Sequence, residues 1–331
     1  MKKIINSFLS TLSFFTRFKL KFNFETYLFS FFLPFVFFFC NIFYIFSLFL
    51  LNHIRLNTFL LSILTFIFTY YYFNLFHFDG FTDFIDAAFS QKDNINKRVE
   101  ILKDVHKGSF AIFFGSFYVL IKFLIILNIF GIYYYLLYKK ELSIFDNFLF
   151  TKNLFSVIYK NINYIFFKII KLLKIGKNYL IINEKLFFYE FGKIYIYLIF
   201  LFLTFFSRLS SFFTSYKTKI IEKSVLFKYF QSLLDKKKFY LGNFFCFFIF
   251  GFLSFFIYFF IFKNNFKNFY LYFYFIYLYL FLYLFSITFN LIFKNFFINL
   301  FYKLFDGMNG DCLGFIIELE ELIFLILFIF I

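Results

Sequence analysis

Cysteine, proline and acidic residues are what this sequence has little of. Its three cysteines, Cys40, Cys246 and Cys312, stand far apart, in or beside apolar stretches. That spacing excludes a cysteine-based metal set and offers no disulfide pair, so they read as small buried hydrophobes. The single proline, Pro34, leaves long stretches free of a helix breaker. No apolar/polar alternation runs through the hydrophobic blocks, which excludes a membrane β-barrel. No cleavable signal is expected, because Lys2, Lys3, Arg17, Lys19 and Lys21 come before any full-length apolar core.

What is there is apolar sequence in long blocks. Of 331 residues, 63% are hydrophobic, against about half in a soluble domain. A helix needs about 20 apolar residues to cross a bilayer. Blocks of that size lie near 27–51, 58–76, 109–138, 195–213, 239–262, 269–293 and 310–331. The expectation is an all-α, polytopic helical bundle of about seven transmembrane helices, forming one membrane-embedded domain over 1–331 with an acidic segment at 77–108.

The net charge of +16 does not point to nucleic acid. Lysine is scattered through the loops with Asn, Ile, Tyr and Phe, the pattern that AT-biased codons produce, and arginine is rare. Basic loops also suit the cytoplasmic face of a membrane protein. If Phe and Lys are background, Asp and Gly carry the information. Of nine aspartates, five fall in Asp79–Asp104, and of 11 glycines, three fall in Gly307–Gly314.

The first cluster reads His77-Phe-Asp79-Gly80-Phe-Thr-Asp83-Phe-Ile-Asp86. On a helix the three aspartates share one face. Carboxylates so placed repel unless a cation lies between them. Mg²⁺ takes such oxygen ligands together with substrate phosphates, so this face is a candidate Mg²⁺–phosphate site; the competing reading is a solvated acidic helix end. His77 is a candidate for substrate contact or proton transfer. Next come Glu100, Lys103, Asp104, Lys107 and Gly108. They read either as ion pairs on an exposed helix or as a second wall of the site, with Lys103 or Lys107 on phosphate oxygens and Asp104 on the metal.

The second cluster reads Gly307-Met-Asn-Gly310-Asp311-Cys-Leu-Gly314, followed by Glu318, Glu320 and Glu321. Asp311, Glu318 and Glu321 share a helical face. Acids inside a membrane are costly and usually functional; Glu320, nearer the interface, is expected to be solvated. The basic N-terminus predicts a cytoplasmic start. Counting spans from there puts 77–108, the lysine-rich loop 215–238 and the second cluster on the cytoplasmic side. The lysine-rich stretch 139–193 then falls outside, against the charge rule.

These motifs, in this order, resemble the cobalamin synthase family, the adenosylcobinamide-GDP ribazoletransferases. The resemblance is carried by His77-x-Asp79-Gly80-x-x-Asp83-x-x-Asp86, by Glu100-x-x-Lys103-Asp104 with Gly108-Ser109-Phe110, by Lys122 after an apolar run, and by Gly310-Asp311-x-Leu313-Gly314 with Glu318 and Glu321. Phe15-Thr16-Arg17 resembles a family Leu-Thr-Arg. The chain departs from the pattern at Lys19, Ala111 and Asn309, where the family tends to carry proline, glycine and threonine.

The resemblance implies a late step of vitamin B12 assembly. Adenosylcobinamide-GDP and α-ribazole, or its 5′-phosphate, are joined to give adenosylcobalamin, or its 5′-phosphate, with release of GMP. It implies Mg²⁺ held by Asp79, Asp83, Asp86 and Asp311, and catalytic roles for His77, Asp79, Asp83, Asp86 and Asp104. Substrate contacts are implied at Gly80, Glu100, Lys103, Gly108, Lys122, Arg208, Gly310, Gly314, Glu318 and Glu321. The expected setting is a bacterial inner membrane, with the site facing the cytoplasm and other cobalamin-assembly enzymes as neighbours. Two alternatives stand beside it. A CDP-alcohol phosphotransferase shares the Asp-Gly start, but its following Ala-Arg is Phe81-Thr82 here. A transporter predicts mid-span acids and repeated halves, whereas these acids are expected at span ends and no repeat is visible.

Overall fold

The computed structural model describes residues 1–54, 56–90, 94–104, 106–138, 184–221, 224–261 and 269–330. Among them the chain is helical, with no strand beyond one isolated parallel bridge between Ile220 and Met308. The helices are α1 (Lys2–Phe15), α2 (Phe29–Phe39), α3 (Ile42–Ile54), α4 (Thr58–Thr69), α5 (Leu75–Phe89), α6 (Ile95–Ile101), α7 (Ser109–Tyr138), α8 (Glu184–Ser215), α9 (Val225–Ser232), α10 (Lys236–Ile261), α11 (Phe269–Phe305) and α12 (Gly310–Phe330). A π-helical turn, Tyr70–Asn74, joins α4 to α5.

Among the described residues, six helices are long and apolar enough to cross a membrane: Phe29–Ile54, Thr58–Phe89, Ser109–Leu137, Gly192–Ser215, Lys236–Ile257 and Tyr272–Phe305. They match six of the expected blocks and make this a multi-pass membrane protein. The seventh block is a helix, α12, but Asp311, Glu318, Glu320 and Glu321 keep it out of that set. The outer faces suit lipid. Phe244, Phe248, Phe252 and Phe256 form an exposed stripe on α10 at four-residue spacing. An aromatic stripe of this kind is a liability in water but not in hydrocarbon.

The central post is α8, in which every residue from Ile196 to Ser215 is buried. It carries a small-residue face of Thr204, Ser207, Ser210, Ser211 and Thr214, which lets neighbours approach closely. Their hydroxyls are satisfied on the helix or across it: Ser211 donates to Arg208 O at 2.6 Å and Thr204 to Phe37 O at 2.6 Å. That second bond explains the break between α2 and α3. Asn41 interrupts the helix and turns its side chain to α8, donating to Leu201 O at 2.8 Å and accepting from Thr204 N at 3.2 Å. Phe37 O, left free by the broken turn, is thereby paired across the interface, as hydrocarbon requires.

Two facts position the site. First, α12 packs along α5, so the two acidic segments meet although more than 200 residues separate them. Second, the loop after α8 is clipped to the turn before α12: Ile221 N donates to Met308 O at 3.0 Å and Met308 N to Lys219 O at 2.9 Å. Asp306, at φ 58°, ends α11 in the left-handed conformation that commonly closes helices. Of the 139–193 stretch, whose side of the membrane conflicted with the charge rule, residues 139–183 lie outside the described residues.

Candidate active site

The close approach of α5 and α12 is made by two glycines. A Cβ on Gly314 would lie 2.5 Å from His77 O and 3.1 Å from Gly80 Cα. A Cβ on Gly80 would lie 2.8 Å from Asp311 Cα. Backbone atoms cannot yield cheaply, so only glycine fits at either place. The contact sets Asp311 against Asp79 and Asp83, and Asp311 feels the charge of both. Asn309 orders the start of α12: its Oδ1 caps Cys312 N at 3.0 Å and its Nδ2 donates to Asp311 Oδ2 at 2.7 Å. Threonine, the residue that the resemblance leads one to expect here, is also a capping residue.

A single lysine bridges the first two aspartates. Lys107 Nζ donates to Asp79 Oδ1 at 2.8 Å, to Thr82 Oγ1 at 3.2 Å, and to Asp83 Oδ1. Burial works against its charge, but the Asp79 and Asp83 carboxylates outweigh that and hold it above the ordinary lysine range. Helix α6 ends at Ile101, so Lys103, Asp104 and Lys107 do not continue one helical face. Lys107 joins the acids. Glu100, Lys103 and Asp104 stay exposed, and Asp104 Oδ1 accepts instead from His106 N at 3.0 Å.

Asp86 shares the helix but not the cluster. Its Oδ1 accepts from Ala111 N at 2.8 Å and its Oδ2 from Gly108 N at 2.5 Å. It therefore satisfies the free N–H groups at the start of α7, where a carboxylate is electrostatically favoured. A Cβ on Gly108 would meet that carboxylate at 2.7 Å, which accounts for glycine there. Each Asp86 oxygen thus accepts a backbone N–H from the start of α7, and Asp86 makes no bond to Lys107. His77 points elsewhere too: its ring lies 6.3 Å from that of Phe15, and its buried Nε2 has no hydrogen-bond partner among the described residues. Gly310 has open space around it.

Deeper in the bundle lies a second set of charges. Lys122 donates to Glu318 Oε2 at 2.9 Å and to Glu321 Oε2 at 2.6 Å; Arg208 donates to Glu321 Oε1 at 2.6 Å. All four side chains are fully buried. Tyr118 donates to Glu318 Oε2 at 2.6 Å, Tyr70 donates to the same atom at 3.1 Å, and Asn74 reaches both glutamates. Arg208 also donates to Phe73 O at 3.2 Å and to Asn74 Oδ1 at 2.9 Å. The four residues expected at substrate thus pair with each other, two cations on two anions. Their polar partners Tyr70, Asn74 and Tyr118 escaped the sequence reading; an asparagine inside an uncharged apolar block was the available signal. Glu320 is not solvated as expected. It is fully buried, with Ser210 as the polar side chain beside its carboxyl and, among the described residues, no cation paired with it.

Beside Asp79 and Lys107 opens a cavity of about 570 Å³, with Arg17, Phe76 and Ser116 on its other walls. Its size is in the range of small-molecule sites. Asp79, Asp83 and Asp311 present only hard oxygen donors, the type that suits Mg²⁺. Among the described residues no three acidic, histidine or cysteine groups form a ready-made cage. Lys107 supplies the positive charge between Asp79 and Asp83.

A family model described as Cobalamin-5-phosphate synthase matches residues 7–143 and 168–329. The chain belongs to this family. The match takes in both acidic segments and the buried charge network. An adenosylcobinamide-GDP ribazoletransferase of Thermosipho melanesiensis is 45% identical over 73 residues, 22% of this chain and 31% of that protein. One from Thermosipho africanus is 35% identical over 80 residues, 24% of this chain and 34% of that protein. One from Fervidobacterium nodosum is 37% identical over 59 residues, 18% of this chain and 24% of that protein. The matched stretches thus span about a third or less of these curated relatives. No solved structure matches the chain.

Proposed function

We propose that this chain is an adenosylcobinamide-GDP ribazoletransferase that joins adenosylcobinamide-GDP to α-ribazole or its 5′-phosphate. The ribazole hydroxyl oxygen forms a bond to the cobinamide-linked phosphorus. The phosphoanhydride bond breaks, GMP departs with the electron pair, and the hydroxyl proton passes to a carboxylate. We assign that role to Asp79, which lines the cavity. Lys107 neutralises phosphate oxygens, and Asp83 and Asp311 complete the acidic wall.

Mg²⁺, bound by Asp79, Asp83 and Asp311, would supply charge neutralisation to a reaction that needs positioning and electrostatics more than covalent help. Asp86 is left out of the ligand set because it holds α7. We place the site at the cytoplasmic face of a bacterial inner membrane, on the strength of the basic N-terminus and the lysines of the 215–238 loop.

The observation that carries this reading is the glycine-to-glycine contact that sets Asp311 against Asp79, Asp83 and Lys107. The test is to incubate the purified protein with adenosylcobinamide-GDP, α-ribazole and Mg²⁺. One GMP and one cobalamin product per turnover are expected, with loss on chelation and recovery on adding Mg²⁺ back. GMP without a cobalamin product, or no GMP at all, contradicts the transfer. Full turnover with the metal chelated contradicts the Mg²⁺ assignment.

A further inference from the structure

The cavity beside the acids holds a second cation that the acidic clusters do not use. Arg17 lies just after α1 and is fixed from several sides. Its backbone N–H donates to Tyr72 O at 2.9 Å. Its guanidinium lies 4.7 Å from the Tyr71 ring centroid and 5.8 Å from that of Phe76. The next residue, Phe18, stacks on Tyr72 at 4.8 Å. Among the described residues no carboxylate pairs with Arg17, while Lys107, on the same cavity, has two.

An arginine held by ring faces keeps its donors free in the plane of the fork, the geometry that matches phosphate oxygens. A half-buried guanidinium without an anion, beside apolar Leu75, Phe76 and Ile112, gains more from an incoming anion than one in open water. Lys107 is already shared between two acids. Arg17 is therefore the cation of this cavity with capacity to spare.

We infer that Arg17 is the diphosphate-binding residue of the site. It takes the phosphate that leaves with the nucleotide, while Lys107 and the acids face the phosphate that is transferred. The ligand class is an organic diphosphate. The assignment rests on the phosphoryl-transfer reading of the cavity, and the test separates the two.

The full-length protein, purified in detergent, is titrated with GDP by calorimetry as wild type, R17Q, R17K and K228Q. Lys228 is exposed and stands for the loss of one surface charge. A rise in Kd of about tenfold or more is expected for R17Q, with partial recovery in R17K and no change in K228Q. Wild-type affinity in R17Q, or no GDP binding by the wild type, overturns the assignment. If R17Q does not purify folded, R17K is read alone: weakened GDP binding supports the assignment and wild-type binding overturns it. The transferase assay on the same preparations keeps the two claims apart. GDP binding through Arg17 without cobalamin formation leaves the diphosphate seat standing and removes the proposed transfer. Cobalamin formation with unchanged GDP affinity in R17Q does the reverse.

Discussion

Lys122 and Arg208 carry two positive charges, and Glu318 and Glu321 two negative ones, inside a fully buried network. Removing one member of such a set strands its partner's charge, which costs about 3–5 kcal/mol. Glu321→Gln is expected to lower stability by about that much, read as unfolding in detergent. Glu320 is different. Among the described residues no cation pairs with its buried carboxyl, so Glu320→Gln, a neutral isostere, is expected to leave stability equal or raised. Equal losses in the two variants would contradict this division. The sequence marked each of these residues as unusual, because an acid, lysine or arginine inside apolar sequence has no cheap place to go. It could not say which charges pair. Lys122 and Arg208 read as substrate contacts from the resemblance, and nothing in the sequence corrected that, because their partners on α12 are some 200 and some 110 positions away.

At the scale of the element, the deciding contact is α5 on α12. Gly314→Ala would push a Cβ to 2.5 Å from His77 O, so α12 must move off α5. A stability loss of about 1–3 kcal/mol and a clear fall in GMP release are expected. Gly310→Ala, with nothing within 4 Å, is expected to change neither. A Gly314→Ala enzyme with wild-type turnover would show that the close approach does not set the carboxylates. Scarce glycine made Gly80, Gly310 and Gly314 legible as special, but not which two form the contact. The π turn at Tyr70–Asn74 was not legible at all. It frees backbone and side-chain groups at Phe73 and Asn74 that Arg208 then takes, and that partner comes from another helix. The end of α6 at Ile101 was similarly hidden, and with it the fact that Lys107, not Lys103, reaches the acids.

For the whole molecule, fold class was readable because hydrocarbon leaves few options: long apolar blocks without alternation must be helices. The assignment of α12 was harder. Its length and apolar end resemble a span, yet its three glutamates are buried in protein, and among the described residues six other helices supply the apolar crossings. That placement joins the two halves of the chain into one site. In the proposed reaction Asp83 and Asp311, far apart in sequence, serve the same phosphoryl transfer. This joint role is tested most directly by GMP release from adenosylcobinamide-GDP with α-ribazole, measured for wild type, D83N and D311N purified side by side. A loss of about 100-fold or more is expected in both variants, with unfolding midpoints close to wild type. A D311N enzyme that turns over at the wild-type rate would contradict it.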